Sequence, residues 1–353
     1  MEVLGRDRGS VMSVAASGIS ATSFASINAA GKVTLWDVRL QHKDCMSVTT
    51  DINMLSGAEA TDLLLAADMH VAVALAGGAI IAYDLRQQGV LSVYNHTCDN
   101  EAFLAGTHPP AEQTTLIADE NGAIMPFDLK QCRPTAHLSD RFFGTSTTIS
   151  ATSFGALSNI CCGLGFIRPE GEKPLLCAMG MDGSGALYTD PQLTPSGFSL
   201  LQESDLVEAS GKVLNPPLPI SASFLEGYVA IGRANGMYSI AVPVANSTLF
   251  EVLAAPGHAC NGLSVLEWTR GDRPRLLTCS VCGVVSLWDV MPLVLETPEG
   301  DEVIDEDLPS LDVAESVRDA VGQQVSVNCG AVIGDNLLVV GDAMGFITSC
   351  LLV

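Results

Sequence analysis

Hydrophobic positions along this chain come as short β-prone runs, each broken by a glycine turn and answered by a second run. In "GKVTLWDVRL" Gly31 stands five residues before Trp36. The same interval separates Gly78 from Tyr83, Gly122 from Phe127, Gly183 from Tyr188 and Gly283 from Trp288. Two further copies keep the glycine and lose the aromatic, Gly236 to Ala241 and Gly345 to Cys350. Successive glycines lie 47, 44, 61, 53, 47 and 62 residues apart, so seven units of similar length follow one another. Each unit predicts a β-hairpin. Runs such as "TTLIADE", "PLLCAMG", "YVAIGR" and "RLLTCS" lead into the glycine, which supplies the positive φ of a tight turn. Shorter pieces between hairpins, "VMSVAAS" and "VLSVY", bring each unit to three or four strands. No stretch sustains a 3.6-residue period, so the chain is predicted to be all-β.

The pairs Trp36-Asp37, Tyr83-Asp84, Phe127-Asp128 and Trp288-Asp289 recur at the end of the second run. Asp182 sits in the turn before Tyr188, and Gly257-His258 opens the sixth unit. In these features the whole chain resembles the WD-repeat family. The resemblance implies one domain over residues 1–353, a seven-bladed β-propeller. It also implies a hydrogen-bond chain in the sixth unit through His258, Thr278 or Ser280, and Trp288. The Asp that the family places in that hairpin turn is Cys282 here. The last unit stops just after its third strand, so the leading "MEVLG" is expected to add the fourth and close the ring.

Charge then removes some functions. With 40 acidic against 17 basic residues, net −23, the chain is a poor clamp for a nucleic-acid backbone and is repelled by anionic lipid. Basic proteins stay open as partners. Eleven cysteines are scattered without a framework, which predicts reduced thiols in an intracellular protein. "MEVLGRDRGS" carries charge where a signal peptide needs an apolar core. The longest apolar run, Val71 to Tyr83, is interrupted by Gly77-Gly78 and is too short to span a bilayer.

Candidate chemistry is sparse. Cys279 and Cys282 have the spacing of half a zinc site, with His258 and Cys260 upstream, but no second pair completes four ligands. Gly180, Gly183 and Gly185 form a glycine-rich loop followed by a strand, where phosphate binding needs a helix. Asn95-His-Thr97 and Asn246-Ser-Thr248 read as turn residues. No catalytic constellation, metal site or cofactor site is expected.

Two insertions break the repeat, at about residues 132–159 and 293–324. The first carries Phe142 and Phe143, either tucked under the ring or exposed as a contact patch. Within the second, Glu296 to Asp319 hold ten acidic residues and one Arg. Its Asp301, Glu302, Asp305, Glu306 and Asp307 are either a solvated loop or a docking segment.

Function is read from fold only at a coarse level. The closing unit resembles that of the small propeller nucleoporin of the Y-shaped nuclear-pore scaffold. Ser326-Val327-Asn328, Leu338-Val339 and Gly341-Asp342-Ala343 carry this likeness. It implies a non-catalytic structural subunit bound to α-solenoid nucleoporins at the nuclear envelope. Two alternatives remain. One is an acidic adaptor for basic proteins such as histone tails or ribosomal proteins, in the cytoplasm or nucleus. The other is an enzyme or small-molecule binder using a central channel, which predicts polar or charged groups at its mouth. No homo-oligomer is implied.

Overall fold

A computed structural model describes residues 2–16, 20–40, 46–49, 60–66, 70–76, 78–96, 105–106, 114–138, 147–148, 157, 160–167, 174–189, 196–199, 218–225, 227–243, 250–255, 262–269, 275–288, 314–316 and 326–352. All described regular structure is β. The first strand, β1 (Glu2–Arg6), leaves the rest of its sheet to the chain's other end. Sheet 1 is β2 (Val11–Ala16), β3 (Ser23–Asn28), β4 (Lys32–Asp37) and β5 (Met46–Thr49). Sheet 2 is β6 (Ala60–Leu65), β7 (Val71–Ala76), β8 (Ala79–Asp84) and β9 (Gly89–Asn95). Sheet 3 is β10 (Ala105–Gly106), β11 (Thr114–Ala118), β12 (Ile124–Asp128) and β13 (Arg133–Pro134). A two-stranded ladder, β14 (His137–Leu138) with β15 (Thr147–Thr148), interrupts the series inside the first insertion.

Sheet 4 follows as β16 (Cys161–Ile167), β17 (Leu175–Gly180), β18 (Ser184–Tyr188) and β19 (Ser196–Ser199). Sheet 5 is β20 (Pro219–Leu225), β21 (Tyr228–Arg233), β22 (Tyr238–Pro243) and β23 (Phe250–Ala255). Sheet 6 is β24 (Leu263–Trp268), β25 (Leu276–Ser280), β26 (Val284–Trp288) and β27 (Ala314–Ser316). Sheet 7 has the order β1, β30 (Phe346–Leu351), β29 (Leu337–Asp342), β28 (Val327–Ile333). Every pairing is antiparallel, and each sheet is a small blade-like meander.

The core lies between sheets. Strands β7 and β8 are buried at every position, because each of their faces packs on a different neighbour. On one face Ala74, Ile81 and Tyr83 meet Ala25, Ile27 and Val33 of sheet 1. On the other, Val73 and Ile80 meet Ile117 and Phe127 of sheet 3. Similar clusters join sheets 3 and 4, 4 and 5, 5 and 6, and 6 and 7. A further cluster packs Ala331, Val339 and Ile347 of sheet 7 on Phe24 and Trp36 of sheet 1. First strands touch in the same sequence: β2 with β6, β6 with β10, β10 with β16, then β20, β24 and β28, which returns to β2.

The connector after β1 ties sheet 7 to sheet 1. β1 pairs with β30 from Glu2 opposite Ser349 to Arg6 opposite Phe346, and the Arg6 guanidinium lies 4.6 Å from the Phe346 ring centre. Asp7 N then donates to Gly345 O at 2.8 Å, and Lys32 Nζ donates to the buried Asp7 carboxylate at 2.6 Å. Asn28 Nδ2 donates to Arg8 O, and Asn328 Nδ2 to Ser10 Oγ. Two sheets thus share one short connector.

Candidate functional site

The repeat glycines do conformational work. Gly31, Gly78, Gly122, Gly183, Gly236, Gly283 and Gly345 all have φ between +72° and +87°. In six of the seven hairpins the glycine N–H donates to the carbonyl three residues before it, as Gly31 N does to Asn28 O and Gly283 N to Ser280 O. In four of these six, Asn28, Asp119, Ser280 and Asp342, that earlier position carries a side-chain cap. Asn28 Oδ1 accepts from Ala30 N and Lys32 N, Asp119 Oδ1 from Asn121 N and Ala123 N, and Asp342 Oδ1 from Met344 N and Phe346 N. Burial pushes the Asp342 carboxyl above its ordinary value, against the pull of those amides. Asp182 sits one residue before its glycine and accepts from Ser184 N.

The Trp residues act through a cross-strand diagonal. Trp36 lies opposite Phe24 and its Nε1 donates to Ser26 Oγ at 2.7 Å, two residues further along β3. Trp288 lies opposite Leu276 and donates to Thr278 Oγ1 at 2.8 Å in the same geometry. Of the two hydroxyls expected for this bond, Thr278 receives it. Ser280 instead accepts from Val284 N inside the turn. Tyr83 lies opposite Ala72, so the diagonal position is Ala74, and its buried hydroxyl finds no partner. Tyr188 and Phe127 complete the aromatic column, both buried.

In the three described pairs, the Asp caps the next turn. Asp84 Oδ1 accepts from Arg86 N and Gln87 N, and Asp128 Oδ1 from Lys130 N and Gln131 N. The Gln87 and Arg86 amides hold the Asp84 carboxyl below the usual carboxylate range. Asp37 makes an exposed ion pair with Arg39, which lowers its pKa. His258, Asp289, Phe142, Phe143, Asp301, Glu302, Asp305, Glu306 and Asp307 lie outside the described residues.

Sequence reasoning missed a contact between sheets 2 and 3. His96 follows β9, and its Nε2 lies 2.8 Å from Asp119 Oδ2. Burial opposes ionisation of Asp119, yet His96 and the Ala123 and Asn121 amides hold its carboxyl below the ordinary value. The cap spacing Asp119-x-x-Gly122, shared with Asn28 and Asp342, was the available signal.

Two surfaces stand out. The first is the free edge of β9, which is the longest outer strand among the described residues. Its "GVLSVYN" has no charge and no proline, and Val90, Leu91 and Val93 are exposed. Tyr94 packs on Phe127 of sheet 3, ring centres 5.8 Å apart, which holds the strand against its neighbour. Natural edges are blunted by charge, proline or shortness, and here only a register slip between the partners of Ala82 and Tyr83 does so.

The second surface is a cavity of about 370 Å³ among the first strands of sheets 1, 2, 4, 5, 6 and 7. In these six sheets the first strand slips register between its first and third residues, as at Val11/Ser13, Ala60/Asp62 and Cys161/Gly163. Such bulges re-aim side chains at rims. Met12, Thr61, Cys162, Ser264 and Asn328 stand at the bulges and line the cavity. Asp62 and Glu267 also line it.

Among the described cysteines, Cys132, Cys161, Cys177 and Cys279 are buried, and Cys162, Cys282, Cys329 and Cys350 are half-buried. Burial pushes Cys161 up to about 11 and Cys329 and Cys279 up to about 12. Among the described residues no disulfide joins two cysteines, and no group of three or more His, Cys, Asp or Glu is placed to hold a metal. No described helix is long and apolar enough to cross a membrane. No family model matches the chain, and no curated protein matches it.

Proposed function

We propose that the chain is a closed seven-bladed WD-repeat propeller, a single domain, serving as a non-catalytic scaffold that binds other proteins. Seven four-stranded sheets, a core cluster between each neighbouring pair, and the packing of sheet 7 on sheet 1 support the ring. Such a ring, with apolar contacts on both faces of each middle strand, is a stiff support for a docking surface. The observation that carries the scaffold role is the uncharged free edge of β9 with Val90, Leu91 and Val93 exposed. An extended apolar segment of a partner can add to that edge by main-chain hydrogen bonds.

The assembly we propose is the nuclear-pore outer ring, with α-solenoid nucleoporins as partners. This rests on the likeness of residues 326–347, which comprise β28, β29 and the turn around Asp342. The test is a tagged pulldown from gently lysed cells, wild type against a Val90→Lys/Val93→Lys variant, with partners identified by mass spectrometry. Large helical nucleoporins at near-equal amounts with the wild type, and their loss with the variant, are expected. Histones, ribosomal proteins or no stable partner would retire the assignment, as would an even cytosolic distribution instead of a nuclear rim.

A further inference from the structure

We propose that the segment taken up by the free edge of β9 is an alternating apolar strand with acidic residues at its C-terminal end, laid antiparallel to β9. This rests on the reading of that edge as the docking surface, and it names the partner's chemistry.

The exposed valines of the edge lie on one side. Val93 stands opposite Ile81 and Val90 opposite Tyr83, so both share the face that β8 turns to sheet 1. Leu91 is the extra residue at the register slip. Ser92 stands opposite Ala82 and Tyr94 opposite Ile80, on the face toward sheet 3. There Tyr94 rests on Phe127, and the Ser92 carbonyl accepts from Cys132 Sγ at 3.9 Å. A strand added beside β9 therefore meets exposed valines with every second side chain and an occupied face with the others. An alternation of apolar and polar residues, seven long like β9 itself, fits that edge.

Charge then separates the two ends of the edge. β9 starts just after the turn that carries Arg86, whose side chain is 56% exposed and whose ion pair with Asp84 is long, at 3.6 Å. Asp84 Oδ1 is already spent on two turn amides. Lys130 holds the equivalent place in sheet 3, two residues after Asp128 as Arg86 is after Asp84. Leu129 and Cys132 of that turn pack with Ile80, Ala82 and Tyr94 of sheet 2, which brings Lys130 alongside β9. Lys130 is exposed and makes no ion pair with a described residue. At the far end β9 runs into His96, which is already bonded to Asp119, and Glu120 follows in the same turn. Neither turn at that end, Gly77-Gly78 or Asp119 to Gly122, holds a Lys or Arg.

An acidic residue on the guest is thus drawn to the start of β9 and repelled from its end. In an antiparallel pair, the more stable arrangement per residue, that start faces the guest's C-terminal end. The net charge of −23 does not undo this, because at a Debye length of about 8 Å distant carboxylates are screened and Arg86 and Lys130 decide. Two other exposed cations of this rim are set aside by geometry. Arg39 is bidentate with Asp37. Arg133 adjoins Pro134, which stands opposite Phe127, so Arg133 belongs to the face of sheet 3 turned away from sheet 2.

The experiment is fluorescence anisotropy of the whole chain with labelled peptides of seven alternating valines and threonines, matched to the length of β9. One peptide ends in two glutamates, the second ends in two lysines, and the third carries the two glutamates at its N-terminal end. The first is expected to bind about fivefold or more tightly than either other, with the gap shrinking as salt rises. Arg86→Glu with Lys130→Glu is expected to reverse the order of the first two, and Arg133→Glu to leave it unchanged. A first peptide that binds no better than the second or the third, or an order that the double variant does not change, overturns the proposal and leaves the edge a docking surface without charge selection. Where the double variant does not fold, the wild type decides, since a gap independent of salt refutes the role of the two cations. No binding of any peptide also overturns it, and removes the docking reading as well where partner capture is undiminished by Val90→Lys/Val93→Lys. Sedimentation of the protein alone reads the other occupant: a dimer that the Val90→Lys/Val93→Lys variant loses would mean that a second copy holds the edge, against the proposal.

Discussion

Replacing Gly345 by alanine measures how firmly the two ends of the chain are locked together. Gly345 has φ +87°, and a Cβ there would lie 2.3 Å from Asp7 O and 2.5 Å from Gly9 O, both backbone atoms. Asp7 N donates to Gly345 O, so the connector cannot retreat and keep that bond. Gly9 provides the control, because its φ is +93° and an added Cβ meets nothing within 4 Å. Gly9→Ala therefore carries the left-handed backbone cost alone, about 1–2 kcal/mol. Gly345→Ala adds about 1–3 kcal/mol for the displaced connector, and about 1 kcal/mol more if the Asp7 bond is lost. An unfolding entropy of about 2.1 cal/mol/K per residue gives roughly 0.7 kcal/mol/K for 353 residues. On that basis the control is expected to melt about 1–3 °C below the wild type and Gly345→Ala about 3–8 °C below it. Scanning calorimetry with a urea titration reads both. Equal losses in the two variants would show that the connector does not press on the sheet 7 turn, and the account of the junction would fail.

Three further outcomes follow from the geometry. Trp36→Phe removes the donor to Ser26 Oγ, a hydroxyl 1% exposed, and is expected to cost about 1–3 kcal/mol; adding Ser26→Ala should recover part of it in a double-mutant cycle by urea unfolding. Asp119 has a folded pKa below its ordinary value of 3.8. Its contribution is therefore present above 3.8 and lost as pH falls through the folded value. The stability gap between wild type and Asp119→Asn is expected to be full at pH 7 and to close below about pH 4, and a constant gap across that range would count against the His96 contact. Cys329, pushed up to about 12 by burial, is expected to escape iodoacetamide at pH 8 in the native protein and to react in urea, as mass spectrometry of the peptide will show.

The glycine comb was legible because a positive φ admits few residues, so Gly31, Gly122 and Gly283 had to stand in the sequence. The caps were half-legible. Asn28 and Asp119 were visible beside their turns, but their hydrogen bonds depend on a register that spacing alone does not state. Thr278 and Ser280 could not be separated by composition. The pairing of Trp288 with Leu276 decides between them, since it puts Thr278 on the diagonal. The interval of ten residues shared by Ser26–Trp36 and Thr278–Trp288 was the overlooked clue. The cavity was beyond reach, because its lining residues, such as Asp62 and Glu267, stand as much as 205 residues apart and come to one cavity only through the order of the sheets. The same limit applies to His96 with Asp119, whose contact crosses from one sheet to the next.

The pairing of β1 with β30 also sets a timetable. During synthesis Glu2 emerges long before Ser349, its eventual neighbour. Sheets 1 to 6 are each local in sequence and can form as they leave the ribosome. β1 must wait through all of them with its edge unpaired, and the final step closes a loop of nearly the whole chain. Loop-closure entropy rises only slowly with length, so the equilibrium cost of that wait is small. Its kinetic cost is larger, because non-local strand pairing is slow and leaves an open edge exposed meanwhile. The emergence of β30 therefore decides when β1 stops being available to other chains.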